Sequence, residues 1–519
     1  MAHYMLKDTY QSALRFAKIG AGVIKIKSTG NEDSRNIAKR ALALQLSDAR
    51  GVMMKFGQLV ASSSTDNSFD DLVKGIPAIP LQIIAPAIEN ALGLPLDQVF
   101  AELKESTNAA SLGQVHRARL LNGEEVAIKI QYPDIAKRIS AEMALFGLLP
   151  GIGPVKKWGF DLDAYKTSFK TNMDRELDYL AEAKSQNVFQ QQVNVPGLTV
   201  PKVYPLYSNA SLLVQSWHDG DTIDNIGHWS SSDRCCAGEI ILATLFKSLF
   251  DVGIVHGDPH RGNSYFSHDQ NGEVDVVLMD YGCTIELSSK QRLALLKLIL
   301  ATSESSPVEP LRYFVALGFD AEKLSKIGEA LPMLCRLLFR PFCQSDAFAT
   351  QTWEIEKPIK QLLQERRWWF RSAGPAQLLL IMRAFQGITQ QLSTLKTSVS
   401  WLKILHEHVS PATIQQARDL ELPILPQEKN ISTRSVASLA NTLRVRVTKQ
   451  GRQTVNVTLP ADMMLEIETL IPEDVLTLLA TKENINITTI KQTVFDSGLA
   501  PQTVFSITNG DKNYSVWLE

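Results

Sequence analysis

Asp258 and Asn263 stand five residues apart in VHGDPHRGN, Val255 to Asn263, with His256 and His260 between or beside them. Three readings fit this stretch. Two imidazoles and a carboxylate suit zinc. An aspartate and an asparagine on one tight loop suit phosphate transfer, the carboxylate facing a nucleophile and the amide oxygen helping to hold a hard cation. A polar turn with no chemistry is the third. Zinc is the weakest, because no His/Cys cluster elsewhere completes a ligand set. The histidines then serve to orient the loop by hydrogen bonds.

Three further features flank it in a telling order. Lys129 ends the run VAIK, the segment DRELDYLAEA carries Glu176, Asp178 and Glu182, and MDYG carries Asp280. Lysine strand, acidic helix, Asp…Asn loop and Asp-Tyr-Gly follow one another as in a protein-kinase-like phosphotransfer fold. Transfer of a γ-phosphoryl group needs positioning and charge neutralisation more than covalent help. Lys129 would hold the α/β-phosphates and a helix carboxylate would orient it. Asn263 and Asp280 would offer oxygens to Mg²⁺, and Asp258 would face the hydroxyl or water. Each feature alone is ordinary: a strand lysine is usually solvated, and three acids on a helix are usually surface charge. Asp178 and Glu182 share a helix face, but Glu176 lies about 200° from Asp178 at ~100° per residue. A regular helix cannot aim all three at one atom, so a kink or separate partners are needed.

The elements that must position these residues are readable. Residues 1 to about 100 have helical spacing, with a Pro-rich connection at GIPAIPLQIIAP. SLGQVHRARLLNGEEVAIKIQ reads as a hairpin on Asn122-Gly123, a pair suited to a type I′ turn. Helices are expected from Pro133 through Ala181, strands over residues 198–217, and a helix from about Ser232 to Val252. A second hairpin turns at HDQNGE and ends at Asp280. Residues 286–425 read as helical. LRVRVTKQGRQTVNVTL and TVFSITNGDKNYSVWLE are hairpins around a helical stretch, joined to the rest by PQEKNISTRS. The expected fold is α+β: a two-lobed protein-kinase-like fold with a helical N-terminal extension (1–100), an N-lobe (101–220), a helical C-lobe (221–430) and a small C-terminal α+β domain (440–519).

On these residues the chain resembles the UbiB/aarF family of atypical kinase-like proteins. KFGQ (Lys55, Gly57, Gln58) is similar to its KxGQ motif. NAASLGQVHRARL, Asn108 to Leu120, resembles its Ala-rich loop, placing Ala109, Ala110 and Ser111 at the nucleotide. ELD followed by Glu182 resembles its ExD segment and helix glutamate, and HGDPHRGN and DYG resemble its catalytic and metal loops. The resemblance covers residues 35–300. It implies binding of ATP or ADP with Mg²⁺, a Lys129–Glu182 pair, Mg²⁺ on Asn263 and Asp280, and Lys55 reaching Glu176, Asp178 and the nucleotide. It implies ATPase or phosphotransferase activity linked to quinone and isoprenoid-lipid metabolism, with the KxGQ helix over the substrate site. A nucleotide-gated pseudokinase that handles a lipid or partner without turnover is the first alternative. An ordinary protein or small-molecule kinase is the second. The pattern is departed from at four places: Asn108 for alanine, Arg261 for proline, Tyr281 for phenylalanine, and the pair Gln215-Ser216 where an acidic hinge residue is common.

Bulk properties narrow the field. In 519 residues, 53 Lys+Arg against 55 Asp+Glu give a formal charge of -2, so no overall basic excess argues for a nucleic-acid partner. Five cysteines without a CxxC argue against a disulfide framework or zinc ribbon. No apolar run approaches the roughly 20 residues of a membrane span; AQLLLIMRAF is interrupted by Arg383. The expected setting is cytoplasmic, with contact to a lipid or peripheral membrane surface through ERRWWF (Glu365–Phe370) as one option and packed aromatics as the plainer one. The tail's hairpins suggest docking of a protein partner. His406-Glu407-His408 reads as a polar helix face, and Cys283 as a small buried residue.

Overall fold

The structure is a computed structural model describing residues 78–109, 112–140, 159–304, 309–344, 346–353, 355–425, 439–482, 486–497 and 499–519. Lys55, Gln58, Ala110 and Ser111, and with them the KxGQ motif, lie outside the described residues.

Four antiparallel strands form the first sheet: β1 (Phe100–Ala109), β2 (Gly113–Leu120), β3 (Glu125–Gln131) and, further on, β5 (Leu212–Ser216), in the order β1-β2-β3-β5. Strand alternation sends Val126, Ile128 and Ile130 to one face. There they meet Ile84 and Ile88 of helix α1 (Leu81–Leu92), together with Leu212 and Val214. Lys129 therefore points to the opposite face. The β2–β3 turn differs from the expected type I′. Gly123 N–H donates to Leu120 O, Leu120 N–H donates to Glu124 O, and Gly123 alone of the turn pair takes a positive φ, +91°. This is a type I turn closed by a glycine bulge, the three-residue alternative.

Helix α2 (Leu162–Glu176) ends at Leu177, and α3 (Tyr179–Gln192) begins with Asp178 as its N-cap, the carboxylate accepting from Leu180 N–H at 3.0 Å. The acidic segment is thus two helices with a break between Glu176 and Tyr179, which supplies the change of direction that three acids on one helix demanded. A short strand β4 (Leu198–Thr199) precedes β5.

The next sheet orders β4-β9-β8-β6, with β6 (Asp221–Thr222), β8 (Ser264–His268) and β9 (Val274–Leu278). β8 and β9 form the second hairpin. In a separate two-stranded sheet, β7 (Ile254–His256) pairs with β10 (Thr284–Glu286), His256 opposite Thr284. Helix α4 (Ser231–Phe246), continuing as a π-helical turn to Val252, packs beneath.

The helical region includes α5 (Ser289–Ser303), α6 (Pro310–Ala316), α7 (Leu331–Leu338), α8 (Glu356–Leu363), α9 (Ala376–Leu395), α10 (Trp401–His408) and α11 (Pro411–Asp419). Trp401, fully buried, makes edge contacts with Phe246, Phe342 and Phe385. Among the described residues no helix is long and apolar enough to cross a membrane.

The tail forms an antiparallel sheet in the order β12-β11-β14-β13, from β11 (Thr442–Lys449), β12 (Arg452–Pro460), β13 (Gln502–Asn509) and β14 (Lys512–Leu518). Its buried residues, among them Leu443, Val516 and Leu518, share one apolar cluster with Leu331, Leu334 and Leu337 of α7. Arg336 reinforces the seam by donating to Ala440 O and, at 2.9 Å, to Asn441 Oδ1. Helix α5 serves two cores: Leu296, Ile299 and Leu300 face the cluster of α4 and Trp401, while Ala294 and Leu298 face the cluster shared with the tail.

Candidate functional site

Lys129, on the open face of β3, reaches α3. Its Nζ lies 2.8 Å from both carboxylate oxygens of Glu182 and 3.2 Å from Asp280 Oδ1. Strand, helix and acidic loop, with Lys129 and Asp280 separated by 151 residues, meet at one ammonium. The Tyr179 ring lies 5.0 Å from the same cation. Glu182 is 2% exposed. Burial pushes its carboxyl up to about 7 against the pull of Lys129. Burial lowers Lys129, but Asp280 and Glu182 outweigh it and hold the ammonium well above the ordinary lysine value. The proton of the pair therefore sits on the lysine.

The loop is shaped by its own hydrogen bonds. Asn263 Nδ2 donates to Asp258 O at 2.9 Å, and Met279 N–H donates to Asn263 O at 2.9 Å. The β8–β9 hairpin thus returns Asp280 beside Asn263. Asp280 sits at φ +61°, a left-handed conformation that Asp tolerates better than most residues and that marks functional loops. With its nitrogen committed to Asp258 O, the Asn263 amide leaves Oδ1 as its ligating atom. Amide and carboxylate oxygens are the donors Mg²⁺ prefers, so this pair fits the expected cation.

The histidines serve the frame. His256 is buried, its Nε2 bonds Met279 O at 3.0 Å, and its ring packs edge-on against Phe189 and Tyr281. His260 Nδ1 accepts from Gly262 N–H at 2.9 Å. Among the described residues no group of three His, Cys, Asp or Glu side chains is placed to hold a metal ion, so the zinc alternative has no support there.

The departures from the family pattern acquire physical reasons. The Tyr281 hydroxyl donates to Leu278 O at 3.0 Å inside the core. Arg261 bonds Asp224 at 2.8 Å and Thr394 at 3.2 Å, anchoring the loop to a neighbouring turn and to α9. Gln215 Oε1 accepts from Gln186 of α3, and Ser216 Oγ bonds His218 and accepts from Lys202 N–H. Cys283 is buried against Gly257.

Other expected site residues are placed less directly. Ala109 ends β1 opposite Gln114, at the mouth of the loop whose next two residues are not described. Glu176, at the end of α2, lies close enough to act electrostatically on Glu182 and Arg383. Asp178 spends its carboxylate on capping α3.

One residue at the site was not anticipated. Arg383 of α9 pairs with Asp258 at 2.6 Å, the two side chains 15% and 10% exposed. The sequence held a signal for it, since a charge inside an otherwise apolar helical run must find a partner when that run is buried.

Residues 71–307 match the family model of the ABC1 atypical kinase-like domain. The chain carries an ABC1 atypical kinase-like domain. The domain spans α1 through α5 and holds Lys129, Glu182, Asp258, Asn263 and Asp280 within an α+β, kinase-like fold. An ABC1 family protein of Schizosaccharomyces pombe is 28% identical over 53% of this chain and 54% of its own length. The mitochondrial atypical kinase coq-8 of Caenorhabditis elegans is 23% identical over 69% of this chain and 49% of its own. The chain thus spans about half the length of these relatives. A solved Mycobacterium tuberculosis protein in complex with erythromycin superposes with TM-score 0.48 and 22% identity, over 73% of this chain and 97% of that one.

Proposed function

We propose that the ABC1 domain binds ATP or ADP with Mg²⁺ and acts as an atypical kinase-like ATPase or phosphotransferase. The observation that carries this reading is the convergence of Lys129, Glu182 and Asp280 within 3.2 Å, next to the Asp258–Asn263 loop. Lys129, oriented by Glu182, meets the α/β-phosphates. Asn263 and Asp280 are the residues to hold Mg²⁺, which supplies neutralisation of phosphate charge when bound. Asp258 orients the water or hydroxyl that attacks the γ-phosphorus. The quinone or isoprenoid-lipid setting rests on the UbiB/aarF resemblance, and similarity to the atypical kinase coq-8 supports the kinase half of the reading. A lipid surface as the source of substrate, and the tail sheet as a site for a protein partner, belong to the same proposal.

The test is binding of a fluorescent adenine nucleotide by the full chain with and without Mg²⁺, followed by phosphate release. Asp280→Asn should weaken Mg²⁺-dependent binding at least tenfold. Equal binding by wild type and variant, or binding indifferent to Mg²⁺, would sink the proposal. A second reading, nucleotide gating without turnover, draws on the Asp258–Arg383 pair, which occupies the loop carboxylate with a protein partner. Steady phosphate release in the same assay separates the two.

A further inference from the structure

The candidate loop is completed by a helix outside the ABC1 match. Helix α9 begins at Ala376, well beyond residue 307. Four of its residues, Arg383, Gly387, Gln391 and Thr394, are spaced by four, four and three, so they form one stripe at ~100° per residue. Each meets the loop. Arg383 pairs with Asp258 at 2.6 Å. A Cβ on Gly387 would stand 2.8 Å from Pro259 O and 2.9 Å from its ring, so glycine is what allows the approach. Gln391, buried, donates to Pro259 O at 2.8 Å. Thr394 accepts from Arg261 at 3.2 Å.

This register is more specific than packing alone requires. Gly387 and Gln391 fix the height of the loop backbone against the helix, and Arg261 ties its far end. Arg383 then acts on the one side chain expected to face the nucleophile. A guanidinium holds a carboxylate directionally, through a rigid planar fork. Both partners are largely withdrawn from water, where such a pair is screened little.

We propose that Arg383 is a positioning residue for phosphoryl transfer, holding the Asp258 carboxylate in the orientation that the attacking water or hydroxyl meets. This rests on the function proposed above and deepens it. The site then requires α9, and the 71–307 segment by itself is incomplete. Substrate and MgATP can bind without Arg383, so its loss appears in kcat rather than in KM.

The experiment compares full-length wild type, Arg383→Met and Arg383→Lys for MgADP affinity, for KM and kcat of MgATP turnover, and for melting midpoint. Arg383→Met should lower kcat at least 30-fold while KM and the MgADP Kd stay within threefold. Arg383→Lys, which keeps the charge but not the fork, should lose only three- to tenfold in kcat. If Arg383→Met loses the fold, seen as a lost melting transition, the lysine variant decides alone: reduced kcat at unchanged Kd supports the assignment and unchanged kcat overturns it. The proposal is also overturned if Arg383→Met keeps kcat within threefold. It falls too if both variants are equally impaired, or if the loss lies in KM and Kd. Wild type that binds no nucleotide or shows no turnover overturns the functional reading and this one together; an active wild type matched by Arg383→Met overturns this one alone.

Discussion

Lys129→Met isolates the electrostatics of the site from its chemistry. In the wild type, burial already pushes Glu182 up to about 7 while Lys129 pulls it down. Removing the lysine removes that pull, and nearby Asp280 still pushes upward. The carboxyl therefore moves higher, so folded Glu182 stays protonated above neutrality. The unfolded chain ionises it near an ordinary value of about 4.3. In the window between those two values the folded state holds one more proton than the unfolded state. Stability from this group is fully present below the unfolded value and falls by about 1.4 kcal/mol per pH unit until the folded value is passed. In the wild type that decline ends near 7. In the variant it continues above neutrality at the same rate, about 1.4 kcal/mol per pH unit, until the higher folded value is passed. Urea unfolding followed by tryptophan fluorescence at a series of pH values measures it. Adding Glu182→Gln removes the titrating group and should abolish this decline above neutrality, where the wild type has none either. Parallel wild-type and Lys129→Met curves above neutrality would refute the reasoning, because Glu182 would then be ionised without its lysine.

Other outcomes follow from separate parts of the molecule. His116 is fully buried, bonded to Lys104 O at 2.9 Å and to Gln114 at 2.8 Å; burial holds it below the ordinary histidine value despite the Lys104 bond. The unfolded chain takes up the proton first, so stability should fall as pH drops below about 6.5, and His116→Gln should flatten the difference in melting midpoint between pH 7.5 and 5.5. Arg336→Met removes the donor to buried Ala440 O, which should cost about 2–3 kcal/mol and make residues 439–519 the first cut in limited proteolysis. Alkylation read by mass spectrometry should modify exposed Cys343 first, half-buried Cys235 and Cys236 next, and buried Cys283 and Cys335 only on unfolding.

Punctuation by glycine and asparagine made the hairpins legible, and alternation made the direction of Lys129 legible. What failed locally had local causes. β1 was not anticipated because three register shifts break its period and Glu102, Lys104 and Glu105 make it look like a loop. The type I′ turn was misread because Asn122 keeps an ordinary φ and Gly123 alone takes the left-handed one. The helical angle between Glu176 and Asp178 required a break, and Asp178 is a good N-cap, so the two-helix arrangement was within reach. Arg383 was not, because its partner Asp258 stands 125 residues earlier and no local period connects them. Only the oddity of a lone charge in an apolar run pointed to it.

Helix α5, with one side in each of two cores, also has a consequence in time. A chain made from its N-terminus can close the β1-β2-β3-β5 sheet once Ser216 has emerged, since all its strands lie before that point. The second face of α5 packs against α6 soon after it is made, but its cluster is finished much later. Its cluster contains Val516 and Leu518, more than two hundred residues downstream of Ala294 and Leu298. During synthesis the side of α7 that meets the tail therefore remains uncovered, the kind of exposed surface that makes partly made chains prone to aggregate. A nascent-chain series arrested before and after β14 should accordingly differ in chaperone capture even though the loop carrying Asp258 was completed long before.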